Sequence, residues 1–298
     1  NFHKKYYDPS NCRLFLYGNI STEKQLDFLN ERFLHDPSFK SEPFARLLAG
    51  QRDMESFSAT EVKPFSSPVE CRVGGPSLST ENSDENSGPT VLFSWLIGET
   101  EDPEQFMESV LISQILLGHD GSPLSKALID CGLGEDIAPN TGVESELRYL
   151  LFSVGLREMQ EGKEGELEKV IIGTIQKLIQ QGVSEQDIEA AIMAVDFADR
   201  EIKRSHGPYS LTLMRRCLRG WLNGAHPAKT IFNRKAFQKI KERIASDPMY
   251  LKNLLRLYFI ENKHMVCLTV TPEDNYEQLM KETFDRQIAK LTAGKSRD

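Results

Sequence analysis

Hydrophobic residues along the chain form short β-like runs separated by longer helical periods. Thr90–Ile97 is almost entirely apolar, which is typical of a central strand covered on both faces. Asn11–Tyr17 is also β-prone, and the Gly18-Asn19 dipeptide after it predicts that this strand ends in a turn. Four further runs predict the remaining strands, at Val69–Val73, Ile137–Gly142, Arg148–Leu156 and His264–Val270.

Apolar residues at helical spacing predict a larger number of helices. Ser184–Arg204 has the clearest pattern, because the capping box Ser184-x-x-Asp187 precedes an apolar face that includes Ile188. Asp102-Pro103 opens another helix, which the spacing continues to Leu117. The same periodicity predicts helices at Thr22–Leu34, Pro123–Cys131, Gly165–Gln181, Tyr209–Trp221, Lys229–Ile244, Pro248–Phe259 and Asn275–Leu291.

These elements predict an α+β fold, in which one mostly antiparallel sheet has helices packed on one side. The stretch from about Pro37 to Pro68 lacks sustained periodicity, so it predicts a connector between domains. Phe2–Tyr7 is predicted to be the end of a helix closed by Asp8-Pro9, and it forms a helix–strand–helix unit with the strand Asn11–Tyr17 and the helix Thr22–Leu34. This unit cannot bury its own apolar faces. We therefore expect its large apolar residues to be partly exposed, or covered by another copy of the chain through self-association: Leu14, Phe15, Leu16, Leu26 and Phe33.

The composition narrows the class of protein. The 298 residues are 39% hydrophobic and 27% charged, which is ordinary for a soluble globular protein. A formal net charge of −8 disfavours nucleic-acid binding, and no apolar run reaches the roughly 20 residues that a membrane-spanning helix needs. The five scattered cysteines form no C-x-x-C pair. They indicate buried, reduced thiols in a reducing compartment, such as a bacterial cytoplasm or an organelle matrix.

The sequence lacks the motifs of the common hydrolases and nucleotide-binding proteins. It contains no G-x-S-x-G elbow, no Walker loop, and neither an H-x-x-E-H nor an H-E-x-x-H motif. A zinc site is usually anchored by two histidines one helical turn apart, and no such pair occurs. We therefore predict no catalytic, cofactor-binding or metal-binding residue in this chain. This includes its six histidines: His3, His35, His119, His206, His226 and His264.

Several segments allow a ligand but have simpler interpretations. His119 and His206 lie in turns beside glycine or proline, which favours hydrogen-bonding or capping roles. Gly118–Ser122 is glycine-rich and precedes a helix, so it allows a phosphate, but a plain turn with a helix N-cap is favoured. The basic run Arg215–Arg219 is interpreted as a solvated helix face, with contact to an acidic neighbouring domain as the alternative. The aromatic residues on predicted strands are expected to fill the core: Phe93, Trp95, Tyr149 and Phe152.

Three segments carry a family resemblance. The first is Phe2-His3-x-x-Tyr6-Tyr7-x-Pro9-Ser10-Asn11, followed by Tyr17-Gly18-Asn19. The second is Ser122-Pro123-Leu124-x-Lys126-Ala127-Leu128-Ile129-x-x-Gly132-Leu133-Gly134, and the third is Phe152-Ser153-Val154-Gly155-Leu156. In this order and spacing they resemble the presequence protease branch of the pitrilysin and insulysin zinc metallopeptidases.

The resemblance implies a place for the chain within a larger enzyme. Members of this family have four related domains in two halves, which enclose a chamber that admits unfolded peptides. Zinc lies on an H-x-x-E-H helix of the first domain, which would precede Asn1, so zinc is expected in the full-length parent and not in this chain. The implied domains are a remnant of the first domain at residues 1–40, a linker at 41–67 and a second, non-catalytic domain at 68–298.

The implied function is that of a non-catalytic scaffold and substrate-chamber portion of a zinc metalloendopeptidase for short unstructured peptides. Its expected partners are the remaining domains of the parent and an unstructured peptide, which an exposed sheet edge would hold as an added strand. Ser77–Gly88 and Gly118–Ser122 are further candidates, because loops often carry function. The alternative is a metal-free structural subunit or interaction domain of the same fold.

Overall fold

The computed structural model describes residues 2, 6–35, 62–76, 88–202 and 207–293. The chain groups into two compact units, of which the first comprises Asn1–Glu61 and Ile202–Ile231. The second, which we call the sheet unit, comprises Val62–Glu201 and Phe232–Asp298. These units divide the chain differently from the ranges that the sequence implied, since Ile202–Ile231 groups with the N-terminal residues. Most of the predicted connector lies outside the described residues.

One six-stranded mixed sheet forms the centre of the sheet unit. Its strands are β1 Val69–Gly75, β2 Thr90–Glu99, β3 Asp136–Ile137, β4 Gly142–Glu144, β5 Tyr149–Arg157 and β6 Met265–Pro272. The strand order is β1-β6-β2-β5-β3, and β4 also pairs with β5. Only the β1–β6 pair is parallel among the described strands. The sheet is therefore mostly antiparallel, which confirms the predicted fold class.

Nine α-helices are found in the described part of the chain. Their bounds are α1 Thr22–Leu29, α2 Pro103–Leu117, α3 Pro123–Asp130, α4 Glu164–Gln181, α5 Glu185–Arg200, α6 Tyr209–Trp221, α7 Arg234–Ser246, α8 Tyr250–Leu255 and α9 Tyr276–Thr292. A π-helical segment extends α1 over Asn30–Leu34, and another extends α8 over Arg256–Ile260. All but α1 and α6 belong to the sheet unit.

Alternation along the central strands places the core on one face of the sheet. In β2, Val91, Phe93, Trp95 and Ile97 are buried, while the residues between them are half-buried. The register pairs Phe93 with Val154 of β5 and Cys267 of β6. The buried side chains of all three strands therefore point to the same face, towards the helices. Phe259, at the end of α8, completes this core with its ring centroid 5.4 Å from that of Trp95 and 4.9 Å from that of Phe152.

The helix N-caps predicted at Asp102 and Ser184 are present in the structure. The Asp102 carboxylate accepts hydrogen bonds from the backbone N–H groups of Glu104 (2.8 Å) and Gln105 (3.3 Å), with Pro103 at the first helical position. Ser184 caps α5 by accepting from the Asp187 N–H at 3.1 Å, which confirms the N-cap, while its hydroxyl donates to the Asp187 carboxylate at 2.6 Å. These caps satisfy N–H groups that have no partner within their own helix.

The first unit leaves much of its apolar surface exposed. Asp8 begins a short 3₁₀ turn at Pro9–Asn11 by accepting from the Ser10 N–H at 3.0 Å. The Arg13 guanidinium lies over the Trp221 ring at 5.9 Å. Phe15 is half-buried, and the other apolar residues predicted to be partly exposed are exposed: Leu14, Leu16, Leu26 and Phe33.

Two predicted strands differ in the structure. The segment 12–17 joins no strand ladder among the described residues, so the prediction of a strand at Asn11–Tyr17 is wrong. A β-prone run forms a strand only when a neighbouring strand pairs with its backbone groups. The predicted strand Ile137–Gly142 is divided into β3 and β4, because Pro139 offers no N–H and Asn140 adopts a left-handed conformation with φ of 65°.

We predict opposite effects on stability from alanine at two glycines of the sheet unit. A Cβ on Gly155 of β5 would overlap the backbone carbonyl oxygen of Val91, so Gly155→Ala should lower the free energy of unfolding by about 1–3 kcal/mol. Gly173 lies inside α4 with open space around its would-be Cβ, so Gly173→Ala should raise it by about 0.5–1 kcal/mol. Urea unfolding followed by circular dichroism measures both changes. Equal effects of the two variants would contradict the tight packing at Gly155.

Candidate functional site

Among the described residues, the face of the sheet opposite the packed helices is mostly apolar. Paired residues of neighbouring strands share a face, and Val69, Cys71 and Val73 of β1 pair with Val266, Leu268 and Val270 of β6. Leu92, Ser94 and Leu96 of β2 continue the same face across the next strand. We call this surface the open face, defined by Val69, Cys71, Val73, Leu92, Ser94, Leu96, Val266, Leu268 and Val270.

The strand β1 forms one edge of the sheet. Among the described strands it pairs only with β6, so the backbone groups on its outer side are available for pairing with another strand. Val69 and Val73 are 40% and 43% exposed, although valine is usually buried in a sheet. An extended chain added here would continue the sheet and cover apolar side chains of the open face. The geometry therefore identifies β1 and the open face as the candidate site.

Polar contacts fasten β1 on its other face. Arg72 points to the helix side of the sheet, where its guanidinium forms an ion pair with Glu164 at the start of α4 (2.5 Å). The Thr269 hydroxyl of β6, which pairs with Arg72 in the ladder, donates to the same carboxylate at 3.5 Å. The Glu164 side chain is only 15% exposed, so this ion pair is better shielded from water than most surface pairs. These contacts hold the edge strand in register with β6.

A buried carboxylate joins three helices behind the sheet. Glu108 of α2 is 8% exposed and accepts hydrogen bonds from the hydroxyls of Tyr250 and Tyr258, the latter at 3.0 Å. Arg243 of α7 lies 3.5 Å from the same carboxylate. Burial, together with the neighbouring Glu108, raises the pKa of both tyrosines above the usual range, so both hydroxyls remain donors at neutral pH.

The cluster of Glu108, Arg243, Tyr250 and Tyr258 was not predicted from the sequence. The available signal was a glutamate inside an apolar helical run, between Met107 and Leu111. Its partners lie on α7, α8 and the π-helical extension of α8, far away along the chain, so spacing alone does not find them. The arrangement is typical of a satisfied polar group that fixes how helices pack, rather than of an exposed reactive group.

The described histidines lie apart from one another and bind backbone groups. Nδ1 of His119 accepts from the Gly121 N–H at 3.1 Å, and Nδ1 of His226 accepts from the Ala228 N–H at 3.2 Å. His35 contacts the Asn30 carbonyl at 2.9 Å, and His264 contacts the Phe65 N–H at 3.3 Å. His3 and His206 lie outside the described residues.

Within the described ranges, the side chains do not fit a metal ion. They contain no group of three or more His, Cys, Asp or Glu residues that could bind one. A zinc site needs about four ligands that converge on one point, and the described part of the sheet unit contains no such arrangement. Zinc in a longer parent is a prediction from the resemblance.

The other candidates of the sequence analysis are structural. In the turn Gly118–Ser122, the Ser122 hydroxyl accepts from the His119 N–H at 3.1 Å and makes no cap bond to α3, so the turn stabilises itself. Within Arg215–Arg219, Arg215 is exposed, while Arg216 and Arg219 are half-buried, so the basic run is only in part a solvated face. The loop residues 77–87 lie outside the described residues.

The aromatic prediction is confirmed for three residues and is wrong for the fourth. Phe93, Trp95 and Phe152 are almost completely buried. Tyr149 is half-buried at the start of β5, and its hydroxyl accepts a hydrogen bond from the Val62 N–H at 3.3 Å. The register of β2 and β5 shifts between Leu96 and Gly98, next to this end of β5, where Tyr149 does not enter the core.

The five cysteines are free thiols, but only two are buried. The prediction of buried thiols is confirmed for Cys217 and Cys267, whereas Cys131 is half-buried and Cys12 and Cys71 are exposed. Cys71 is exposed because it belongs to the open face of an edge strand. Burial, with added repulsion from Glu70, Glu164 and Glu168, raises the pKa of Cys267 to about 11.

Comparison with known proteins adds a family match. The profile of the peptidase M16 inactive domain matches residues 1–195 of this chain. The mitochondrial presequence protease of Yarrowia lipolytica is 28% identical over 297 residues, and that of Mus musculus is 27% identical over 298 residues. Each alignment covers 98% of this chain, and the chain spans only 28% and 27% of the length of these relatives.

Solved structures agree on the fold. The periplasmic protease PqqL of Escherichia coli superposes with a TM-score of 0.54 at 12% identity, over 94% of this chain and 28% of that protein. A predicted insulinase family protease from Yersinia pestis gives a TM-score of 0.52 at 14% identity, over 89% of this chain and 53% of that protein. In addition, no helix in the described part of this chain is long and apolar enough to cross a membrane.

We predict that thiol reagents distinguish the two sides of the sheet. Maleimide at pH 7.5 should modify Cys71 within minutes, because its thiol is exposed on the open face. Cys267 should react at least about a hundredfold more slowly, since it is buried and its raised pKa leaves little thiolate. Peptide mapping by mass spectrometry measures both rates, and urea should remove the difference. Equal rates in the folded protein would contradict the assigned faces of β1 and β6.

We also predict that the buried carboxylate matters more than a neighbouring exposed one. Glu108→Ala leaves two buried tyrosine hydroxyls without their acceptor and should lower the free energy of unfolding by about 2–4 kcal/mol. Glu104→Ala, one turn earlier on α2, removes ion pairs to Lys239 and Arg243 at the surface and should cost less than about 1 kcal/mol. Chemical unfolding of both variants measures the contrast. A smaller loss for Glu108→Ala than for Glu104→Ala would contradict this interpretation of the cluster.

Proposed function

Because the chain belongs to the family of peptidase M16 inactive domains, we propose that it is a non-catalytic scaffold and substrate-chamber portion of a longer zinc metalloendopeptidase. The observation that carries the proposal is the exposed edge strand β1 beside the apolar open face. A wall that holds unfolded peptide needs backbone groups available for pairing and apolar surface next to them. β1 offers both.

The proposed ligand is a short unstructured peptide that adds to β1 as a further strand. Backbone hydrogen bonds would supply affinity with little dependence on sequence, as suits a protein that takes many peptides. Alternate side chains of the added strand would lie beside Val69, Cys71 and Val73 on the open face, which favours apolar residues there. The others would lie on the helix side, next to Glu70 and Arg72.

The remaining assignments are proposals of the same kind. Residues 1–40 would be the end of the zinc-bearing domain, residues 41–67 a linker and residues 68–298 the second domain. The partners would be the other domains of the parent, which would also contain the zinc. The relatives support this because they are about three and a half times as long as the part that this chain matches.

The experiment measures peptide binding and turnover on the same preparation of this chain. The probe is a fluorescein-labelled, unstructured presequence-like peptide with alternating apolar residues. We expect micromolar binding by anisotropy and no turnover after zinc is added. Cys71→Lys should weaken binding at least about tenfold, because it places a charge in the middle of the strip that the peptide covers. Thr283→Lys, an equal charge change at an exposed position of α9, should leave the affinity unchanged.

Two outcomes would contradict separate parts of the proposal, namely the lack of catalysis and the position of the peptide site. Zinc-dependent turnover that a chelator abolishes, and that persists after repeated purification, would show that the chain is catalytic. Binding that Cys71→Lys leaves unchanged would remove β1 as the peptide site. Absence of any peptide binding would favour the alternative of a metal-free structural or interaction domain.

A further inference from the structure

A histidine and a phenylalanine stack at the end of the sheet. The rings of His264 and Phe65 are nearly parallel, with an interplanar angle of 19° and centroids 4.1 Å apart. In addition, the Phe65 backbone N–H donates to Nδ1 of His264 at 3.3 Å. Both contacts join residues that are far apart along the chain, so they fix the path of the segment 62–68 across the sheet.

The histidine side of this contact is rigidly held. The Asn262 side-chain amide donates to the carbonyl oxygens of Leu96 (2.9 Å) and Tyr258 (3.1 Å), and its own oxygen accepts from the His264 N–H at 2.9 Å. The His264 carbonyl in turn accepts from the Leu96 N–H at 3.3 Å. His264 is therefore fixed at the start of β6 before any contact with Phe65 is made.

The phenylalanine side depends on few contacts. The sheet unit begins at Val62, whose N–H donates to the Tyr149 hydroxyl. Between Val62 and β1, the segment forms no regular helix or strand, and Phe65 is its half-buried residue. Because β1 starts at Val69, the position of this segment determines where the edge strand begins.

The hydrogen bond from Phe65 requires a neutral histidine ring. Nδ1 accepts the N–H only while it carries no proton, which also places the ring proton on Nε2. A protonated ring donates from both nitrogens and would repel the Phe65 N–H. Burial lowers the pKa of His264 below its ordinary value. The pKa of His264 is lowered by burial and not by nearby charges. The elements around it also carry ionisable side chains: Lys63, Glu99, Tyr149, Tyr258, Glu261 and Lys263.

We propose that His264 is a pH-sensitive latch, which holds the segment 62–68 on the sheet while its ring is neutral and releases the segment when the ring is protonated. The partner is the chain itself, and the latch does not depend on whether a peptide binds to β1. The stabilisation from the latch is complete above about pH 6.5, the ordinary pKa of histidine in an unfolded chain. It is lost as the pH falls through the lower pKa of the folded state.

Hydrogen exchange of the segment tests the latch. Amide exchange of residues 62–68, measured by mass spectrometry between pH 5 and 8 and corrected for intrinsic rates, should show protection that falls about tenfold for each pH unit below the folded-state pKa. His264→Phe keeps an aromatic ring for stacking but removes the acceptor and the titrating group. Its protection should be low and independent of pH.

A matched histidine serves as the control. His226→Phe removes an equivalent bond, from the Ala228 N–H to Nδ1, which spans only two residues in the first unit. This variant should keep the full pH response of residues 62–68. In the unsubstituted chain, the Phe65 amide and the His264 ring should also titrate with the same pKa by NMR. Constant protection across this pH range, a pH response that survives His264→Phe, or different pKa values for the two NMR signals would overturn the proposal.

Discussion

The fold depends on a sheet whose core lies on one face, which the described helices cover. The rings of Trp95, Phe152 and Phe259 meet under the helices, and the alternating residues of β2, β5 and β6 place every large buried side chain of these strands on that side. Burying such aromatic side chains contributes most of the driving force for a core of this kind. Because each strand alternates, the other residues of β2 and β6 lie on the opposite face and most are half-buried, while the small residues Ser153 and Gly155 of β5 are buried there.

The two faces of the sheet differ in how far their polar and apolar groups are already satisfied, and this difference explains where the candidate site lies. The helix side is closed by polar groups that are satisfied internally, such as Glu108 with its two tyrosines and Glu164 with Arg72. Groups satisfied in this way are poorly available to a ligand. The open face and the edge of β1 have the opposite property, since apolar side chains and backbone groups there remain available. The proposed binding surface therefore lies on one face of the sheet, and the internally satisfied polar groups lie on the other.

The sequence was informative where the determining contacts were local. Caps at Asp102 and Ser184, and the period of the helices, depend on neighbours within a few residues, and these predictions are confirmed. The strand predicted at Asn11–Tyr17 failed because pairing is a long-range property. For the same reason, the partners of Glu108 and the contact between His264 and Phe65 were not predicted. The exposure of Cys71 follows from strand order, which no local pattern contains.

The position of β6 has a consequence for how the chain folds. β6 lies between β1 and β2 in the sheet, although it is the last of the described strands in chain order, and Val69 of β1 pairs with Val266. Among the described strands, the edge strand therefore has no neighbour until Met265–Pro272 has been synthesised. Closing so long a loop is slow, and a β-prone segment waits unpaired in the meantime. Nascent chains truncated before β6 would expose both β1 and the central strand, which makes them natural clients of chaperones.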